Sequence, residues 1–255
     1  LMSQTRIYRQ LQGYRDRPPA ALDAIALTLV RLSQLVCDLD AVVEIDINPL
    51  LADETGVVAL DARIRLAAPP DGQKPDGRLA ILPYPRALER DESVHGLGAA
   101  KLRPIRPEDA DGIARLIGRL SPEDARLRFF TPVRSLEPRQ LARLTQIDYD
   151  REMAFVLSAD EKGREELLAA VRLAADPDNR RAEFAIVVRS DLHRRGIGRL
   201  LMTRLIAYAR ERGLQEIFGE VLKENSGMLA LSRELGFTSA GGLGSPDALR
   251  VTLKL

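Results

Sequence analysis

EFAIVVRSDLHRRGIGRL, residues 183–200, reads as a strand that runs into a glycine-bearing turn and restarts as a helix. The β-branched and aromatic run from Phe184 to Val188 suits a strand. Beyond the turn, Ile197, Leu200, Leu201, Leu205 and Tyr208–Ala209 fall on one face of a helix. Backbone N–H groups at a helix start are unpaired and partly positive, so they form a ready anion site. Gly196 and Gly198 lack Cβ and admit a phosphate close to the backbone, and Arg194, Arg195 and Arg199 add positive charge. The alternative is that these glycines serve only the packing of the turn. Two nucleotide motifs are excluded: position 201 is Leu where a dinucleotide fingerprint needs its third glycine, and no Gly-Lys-Ser/Thr of a P-loop follows.

Outward from this segment the C-terminal part alternates. Strands are expected at Leu102–Ile105, Met153–Ala159, Leu167–Ala174, Ala182–Arg189, Ile217–Leu222 and Leu249–Leu255. Helices are expected at Glu108–Leu120, Pro122–Phe130, Pro138–Ile147 and Gly227–Leu235. This order indicates a mixed α/β (α+β) sheet flanked by helices. Residues 67–100 are rich in Pro and Gly and read as an interdomain linker with a short extended piece at Leu79–Leu82. Before it, residues 1–66 carry one amphipathic helix on Leu22, Ile25, Leu29, Leu32 and Val36. Two strands, Val42–Ile47 and Val57–Leu60, follow around an Asp53–Gly56 turn. One helix and two strands make a meagre core, so this unit reads as the tail of a larger domain. The start at Leu1-Met2 likewise reads as a piece of a longer open reading frame. The division expected is therefore 1–66, 67–100 and 101–255.

Composition limits the partners. The 255 residues carry 38 Lys plus Arg against 37 Asp plus Glu, a formal net charge of +1. That balance lacks the basic excess of a chain whose main partner is nucleic acid. No apolar run reaches the ~18 residues that span a bilayer, and the first 20 residues have no signal-peptide core. A single cysteine, Cys37, excludes a disulfide framework. A cytoplasmic protein without a membrane partner is expected.

The glycine turn resembles the acyl-CoA signature Q/R-x-x-G-x-G/A of the GNAT acyltransferases, with His193 standing where Gln or Arg is usual (HRRGIG, 193–198). A second block, Asn225 to Phe237, resembles that family's N-x-x-A-x-x-L-Y-x-x-x-G-F, matching at Asn225, Leu231, Gly236 and Phe237. The resemblance covers about residues 100–255. It implies a GNAT fold with a mostly antiparallel central sheet, and acetyl-CoA as the acyl donor. The cofactor's pyrophosphate would lie on the turn of His193, Arg194, Arg195, Gly196, Ile197, Gly198 and Arg199. The thioester carbonyl would meet backbone N–H groups of the Ile186, Val187 and Val188 strand end. Glu183 matches the family's catalytic Glu and would act as general base; the alternative is a solvent-facing Glu paired with Arg180 or Arg181. Asn225 would touch the pantetheine arm or cap the following helix. The family's usual acid, a Tyr, is replaced by Ser232. His193 is expected to be a solvated turn residue, and His95 lies in the linker. A covalent route through Cys37 has no support.

Residues 44–63, EIDINPLLADETGVVALDAR, resemble the end of the ATP-grasp subunit of nucleotide-forming acyl-CoA synthetases. By that resemblance Asn48 and Asp61, with Asp46 beside them, match ligands of Mg²⁺. The family's nucleotide-holding residues precede Leu1, so Mg and ATP are expected only in a complete parent protein with upstream synthetase domains. An ATP-grasp tail, a linker and a GNAT domain resemble the arrangement of bacterial protein lysine acetyltransferases. In those, SPEDARLRFF (121–130) and IDYDREMAF (147–155) are typical text. The resemblance implies a protein substrate with an acceptor lysine, for example an AMP-forming acetyl-CoA synthetase. Alternatives are a GNAT module that acetylates a small amine, and one that senses acyl-CoA within a bifunctional ADP-forming acetate-CoA ligase.

Overall fold

Strand pairing places most of the chain's order in its C-terminal two thirds. The structure, a computed structural model, describes residues 2–15, 17–39, 41–67, 82–131, 135–241 and 246–255. The chain divides into two units, Leu1–Ala80 and Ile81–Leu255.

In the first unit a short helix α1 (Tyr8–Leu11) precedes α2 (Leu22–Asp38), β1 (Val42–Ile47), β2 (Leu50–Ala52), β3 (Val57–Ala59) and β4 (Ala62–Leu66). β1 pairs antiparallel with β4, and β2 with β3. The expected turn forms: the Asp53 carboxylate accepts from Thr55 N–H at 2.8 Å and Gly56 N–H at 3.1 Å. Four strands replace the two expected. β2 has only three residues, and β4 (ARIRL) alternates in sequence but is exposed along its whole length. Among the described residues of this unit, Ile25 and Val42 are the apolar side chains that are buried, while Leu29, Val58, Leu60 and Leu66 are exposed.

The second unit is an eight-stranded sheet covered by helices. Its elements are β5 (Arg90–Val94), β6 (Gly98–Pro104), α3 (Ala110–Gly118), α4 (Pro122–Phe129), α5 (Pro138–Thr145), β7 (Glu152–Asp160) and β8 (Glu165–Ala175). β9 (Arg181–Val188), α6 (Ile197–Glu211), β10 (Glu216–Leu222), α7 (Ser226–Glu234), β11 (Thr238–Gly241) and β12 (Ala248–Lys254) follow. The strand order is β11-β12-β10-β9-β8-β7-β6-β5. Every neighbouring pair is antiparallel except β9–β10. α4 starts where its sequence allows: Ser121 caps it by accepting from Asp124 N–H at 3.1 Å, and Pro122 needs no hydrogen bond at the first helical position.

Alternation sets the two faces of the sheet. Phe155 meets Tyr208 of α6 edge-on, with centroids 5.7 Å apart. Val171 pairs with both Phe155 and Ile186, so these three share the α6 face. Residues of the opposite parity on β9, namely Glu183, Ala185 and Val187, therefore look to the other face. Leu102, Phe155, Leu157, Leu168, Leu201 and Leu205 are fully buried, each worth about 1.5–3 kcal/mol of transfer free energy.

The linker expected over 67–100 needs correction. Residues 68–81 lie outside the described residues, and with them most of the extended piece expected at Leu79–Leu82. From Leu82 onward, however, the chain belongs to the sheet unit. Leu82 N–H donates to Asp148 O, and β5 and β6 form an antiparallel hairpin from Arg90↔Leu102 to Val94↔Gly98. The glycines that read as breakers are its turn: Gly96 and Gly98 have φ of +72° and +85° beside His95. Val94 and Ala100 are buried beneath it. Among the described residues no helix is long and apolar enough to cross a membrane.

Candidate active site

β9 and β10 are registered over only three pairs, Arg181↔Glu216 to Phe218↔Glu183. Beyond Glu183 the two strands part, because each follows its other neighbour: β9 stays on β8 to Val188↔Ala169, and β10 stays on β12 to Leu222↔Ala248. Arg181 O and Arg189 N–H both bond toward β8. With the period of two, Ile186 and Val188 turn their N–H and C=O groups into the gap. Val187, of the same parity as Arg181 and Arg189, faces β8 with its backbone. Of the three residues expected to offer amides, it offers a side chain alone.

The gap is the floor of a cleft of about 750 Å³, walled by α4, the glycine turn and the start of α7. At the turn, Gly196 has φ +80° and caps α6. Leu200 N–H closes the first helical bond to Gly196 O, leaving the earlier N–H groups of α6 without intrahelical partners. Packing does not require these glycines. A Cβ on Gly196 would meet nothing within 4 Å, and one on Gly198 would touch Leu231 at 3.4 Å. His193, Arg194, Gly196, Ile197 and Gly198 line the cleft. Arg195 and Arg199 do not: Arg195 donates to Gly96 O at 2.7 Å, and Arg199 pairs with Glu234 of α7. His193 Nε2 lies 3.3 Å from Val188 O and 3.9 Å from Asp124 Oδ2. Asp124 in turn accepts from the hydroxyls of Ser121 and Ser190, which ties α4 to the segment before the turn.

Glu183 lines the cleft as an exposed side chain, without an ion-pair partner among the described residues. The alternative pairings are not made: Arg180 donates to Gln215 Oε1 at 3.0 Å, and Arg181 lies against Asp176 at 3.5 Å. Arg128 of α4 lines the same cleft. Burial, with neighbouring Arg172 adding to it, pulls the Arg128 guanidinium below its usual pKa, and the Glu183 charge opposes them. Asn225 lines the cleft and also caps α7, its Oδ1 accepting from Met228 N–H at 3.0 Å, so its NH₂ and one Oδ1 lone pair are left for a ligand. Ser232 is 0% exposed and so faces no ligand; its hydroxyl has no hydrogen-bond partner among the described residues. No tyrosine stands among the described residues lining the cleft.

In the first unit Asn48 N–H donates to Asp61 O at 3.1 Å, which brings the two expected Mg²⁺ ligands side by side. The Asp61 carboxylate faces Arg63 at 3.4 Å, and among the described residues no group of three or more metal-ligating side chains gathers. One amide and one carboxylate that already faces Arg63 would leave most of the six oxygens around a Mg²⁺ to water and a nucleotide's phosphates, which fits an ion brought by a nucleotide and not one held by these residues alone. Cys37 lies in α2 of that unit as a free, partly buried thiol.

Comparison with known proteins matches both units. Residues 122–237 match the acetyltransferase (GNAT) family model, and residues 1–66 match an ATP-grasp domain model. The chain is 32% identical over 164 residues to Acetyltransferase PA5475 of Pseudomonas aeruginosa, covering 63% of this chain and 87% of that one. Its first 66 residues are 39% identical to the ADP-forming acetate–CoA ligase I of Archaeoglobus fulgidus, covering 26% of this chain and only 10% of the ligase. Among solved structures, the GNAT domain of S. lividans PAT superposes with a TM-score of 0.61 at 27% identity, over 68% of this chain and all of that one.

Proposed function

This chain belongs to the GNAT acetyltransferase family and is an acyltransferase, and from that premise we propose that it moves an acetyl group from acetyl-CoA to a protein lysine side chain, with Glu183 as general base. The observation that carries the reading is the exposed Glu183 carboxylate, without an ion-pair partner among the described residues, on the rim of the cleft where β9 and β10 part. The open amides of Ile186 and Val188 suit a thioester carbonyl, and the start of α6 suits a pyrophosphate. A lysine amine, of pKa about 10.4, is neutral in only about one molecule in a few thousand at pH 7, so a positioned base has work to do. Glu183 takes a proton from the ammonium, directly or through a water. The amine nitrogen then bonds to the acyl carbon and gives its second proton to solvent, the carbon–sulfur bond breaks, and CoA leaves as the thiolate. With no tyrosine among the described residues of the cleft, solvent protonates that thiolate.

The protein acceptor is favoured by the resemblance to bacterial protein lysine acetyltransferases, in which a synthetase-like region precedes the GNAT domain. An AMP-forming acetyl-CoA synthetase is the acceptor of that kind. Intact-mass analysis of such a synthetase, incubated with this chain and acetyl-CoA, tests it: a single added acetyl group is expected. Acetylation of a small amine with the synthetase unmodified would replace the protein acceptor. Binding of acetyl-CoA with no turnover on either would make the domain an acyl-CoA sensor.

A further inference from the structure

Glu220, on β10, is a carboxylate that the reaction above does not use. Phe218 is the last residue of β10 in register with β9, opposite Glu183. Two residues further on, Glu220 therefore looks to the same face of the sheet as Glu183, across the opening gap. It lines the same cleft. Its side chain is partly exposed, while its Oε2 is buried with no hydrogen-bond partner among the described residues. A buried carboxylate oxygen has given up its hydration and needs a partner in return.

A partner from the fold stands within reach and is not taken. Arg250 of β12 is directly opposite Glu220 in the antiparallel ladder. Its guanidinium instead lies over the Phe218 ring, 3.7 Å from the centroid, and no ion pair joins it to Glu220 among the described residues. Meanwhile Arg128 lines the cleft beside Glu183. A cation approaching Glu183 is repelled by that guanidinium unless a second negative charge offsets it.

We propose that Glu220 is the docking carboxylate for a cationic acceptor, holding its ammonium at the mouth of the strand gap while Glu183 receives the proton. This rests on the reading of the cleft as an amine-acetylating site and names what selects the amine. Pairing with a carboxylate stabilises the protonated amine, so Glu220 acts on acceptor affinity and not on the attack itself.

The test is binding of Nα-acetyl-lysine amide and its uncharged analogue Nα-acetyl-norleucine amide to the whole chain loaded with CoA, followed by NMR titration. The wild type is expected to prefer the lysine compound. Glu220→Gln should lose that preference by about tenfold with CoA affinity unchanged, the size of one charge-assisted hydrogen bond. Glu220→Asp should retain it in part and Arg250→Met in full. Equal preference in wild type and Glu220→Gln would overturn the proposal. So would the same loss in Arg250→Met, which would make Glu220 a strand partner, or weakened CoA binding in Glu220→Gln, which would make it a contact of the acyl donor. Because binding is read without turnover, an inactive wild type with a Glu220-dependent preference would fell the enzymatic reading, and with it the proton transfer to Glu183, and leave only Glu220 as the carboxylate that holds the ammonium.

Discussion

Gly196 and Gly219 answer to different constraints, and substitution separates them. Gly196 holds φ +80° with open space where a Cβ would be. Gly196→Ala is therefore expected to lose about 1–2 kcal/mol by backbone strain alone, together with acetyl-CoA affinity at the turn. At Gly219 a Cβ would lie 2.8 Å from the Phe184 ring, which itself packs on Phe237 with centroids 5.4 Å apart. Gly219→Ala should cost about 1–3 kcal/mol through overpacking. Urea unfolding of both variants reads the two effects, and a Gly219→Ala protein of wild-type stability would contradict the packing. Arg103 is 2% exposed and makes two 2.8 Å bonds to Asp109, which also accepts from Arg106 N–H. Arg103→Met strands the Asp109 charge beneath α3 and is expected to cost about 3–5 kcal/mol by the same measurement.

At the scale of elements, the β5–β6 hairpin is held by Glu89, which takes Lys101, Tyr84 and Arg106 at once. The Lys101 bond foremost, and those of Tyr84 and Arg106 with it, outweigh burial and hold Glu89 at about 2. A carboxylate depressed on folding contributes stability that is complete above its unfolded pKa and fades as pH falls toward the folded value. The stability difference between wild type and Glu89→Gln should thus be constant above about pH 5 and vanish toward pH 2, measured by urea unfolding across that range. A difference that persists at pH 2 would contradict this anchoring.

This hairpin is also where sequence reading stopped short. Its turn glycines are indistinguishable from linker glycines until Val94 and Ala100 are seen buried. The β9–turn–α6 segment was legible because an unbroken β-branched and aromatic run ends at the turn and apolar residues three to four apart begin beyond the glycines. His193, Arg194, Gly196 and Gly198 followed from the turn itself, whereas Glu183 rested on the resemblance to the GNAT family. Arg195 and Arg199 were misplaced because their directions depend on Gly96 and Glu234, which belong to other elements. Arg128 and Glu220 carried no signal, since which side chains line the cleft is a property of the assembled fold.

For the whole molecule, the boundary that matters lies before Leu82, not at residue 101. A chain cut to residues 81–255 should retain a cooperative unfolding transition and acetyl-CoA binding. One cut to 101–255 loses β5, the first residues of β6 and the Glu89 anchor, and should unfold at lower urea. Equal stability of the two would contradict the hairpin's place in the sheet. The central claim, that Glu183 activates an amine held in the cleft between β9 and β10, is tested most directly by the rate of CoA release from acetyl-CoA with a lysine acceptor, for wild type and Glu183→Gln. The account predicts a fall in kcat of about a hundredfold or more with acetyl-CoA affinity unchanged. A Glu183→Gln protein that turns over at the wild-type rate would contradict it.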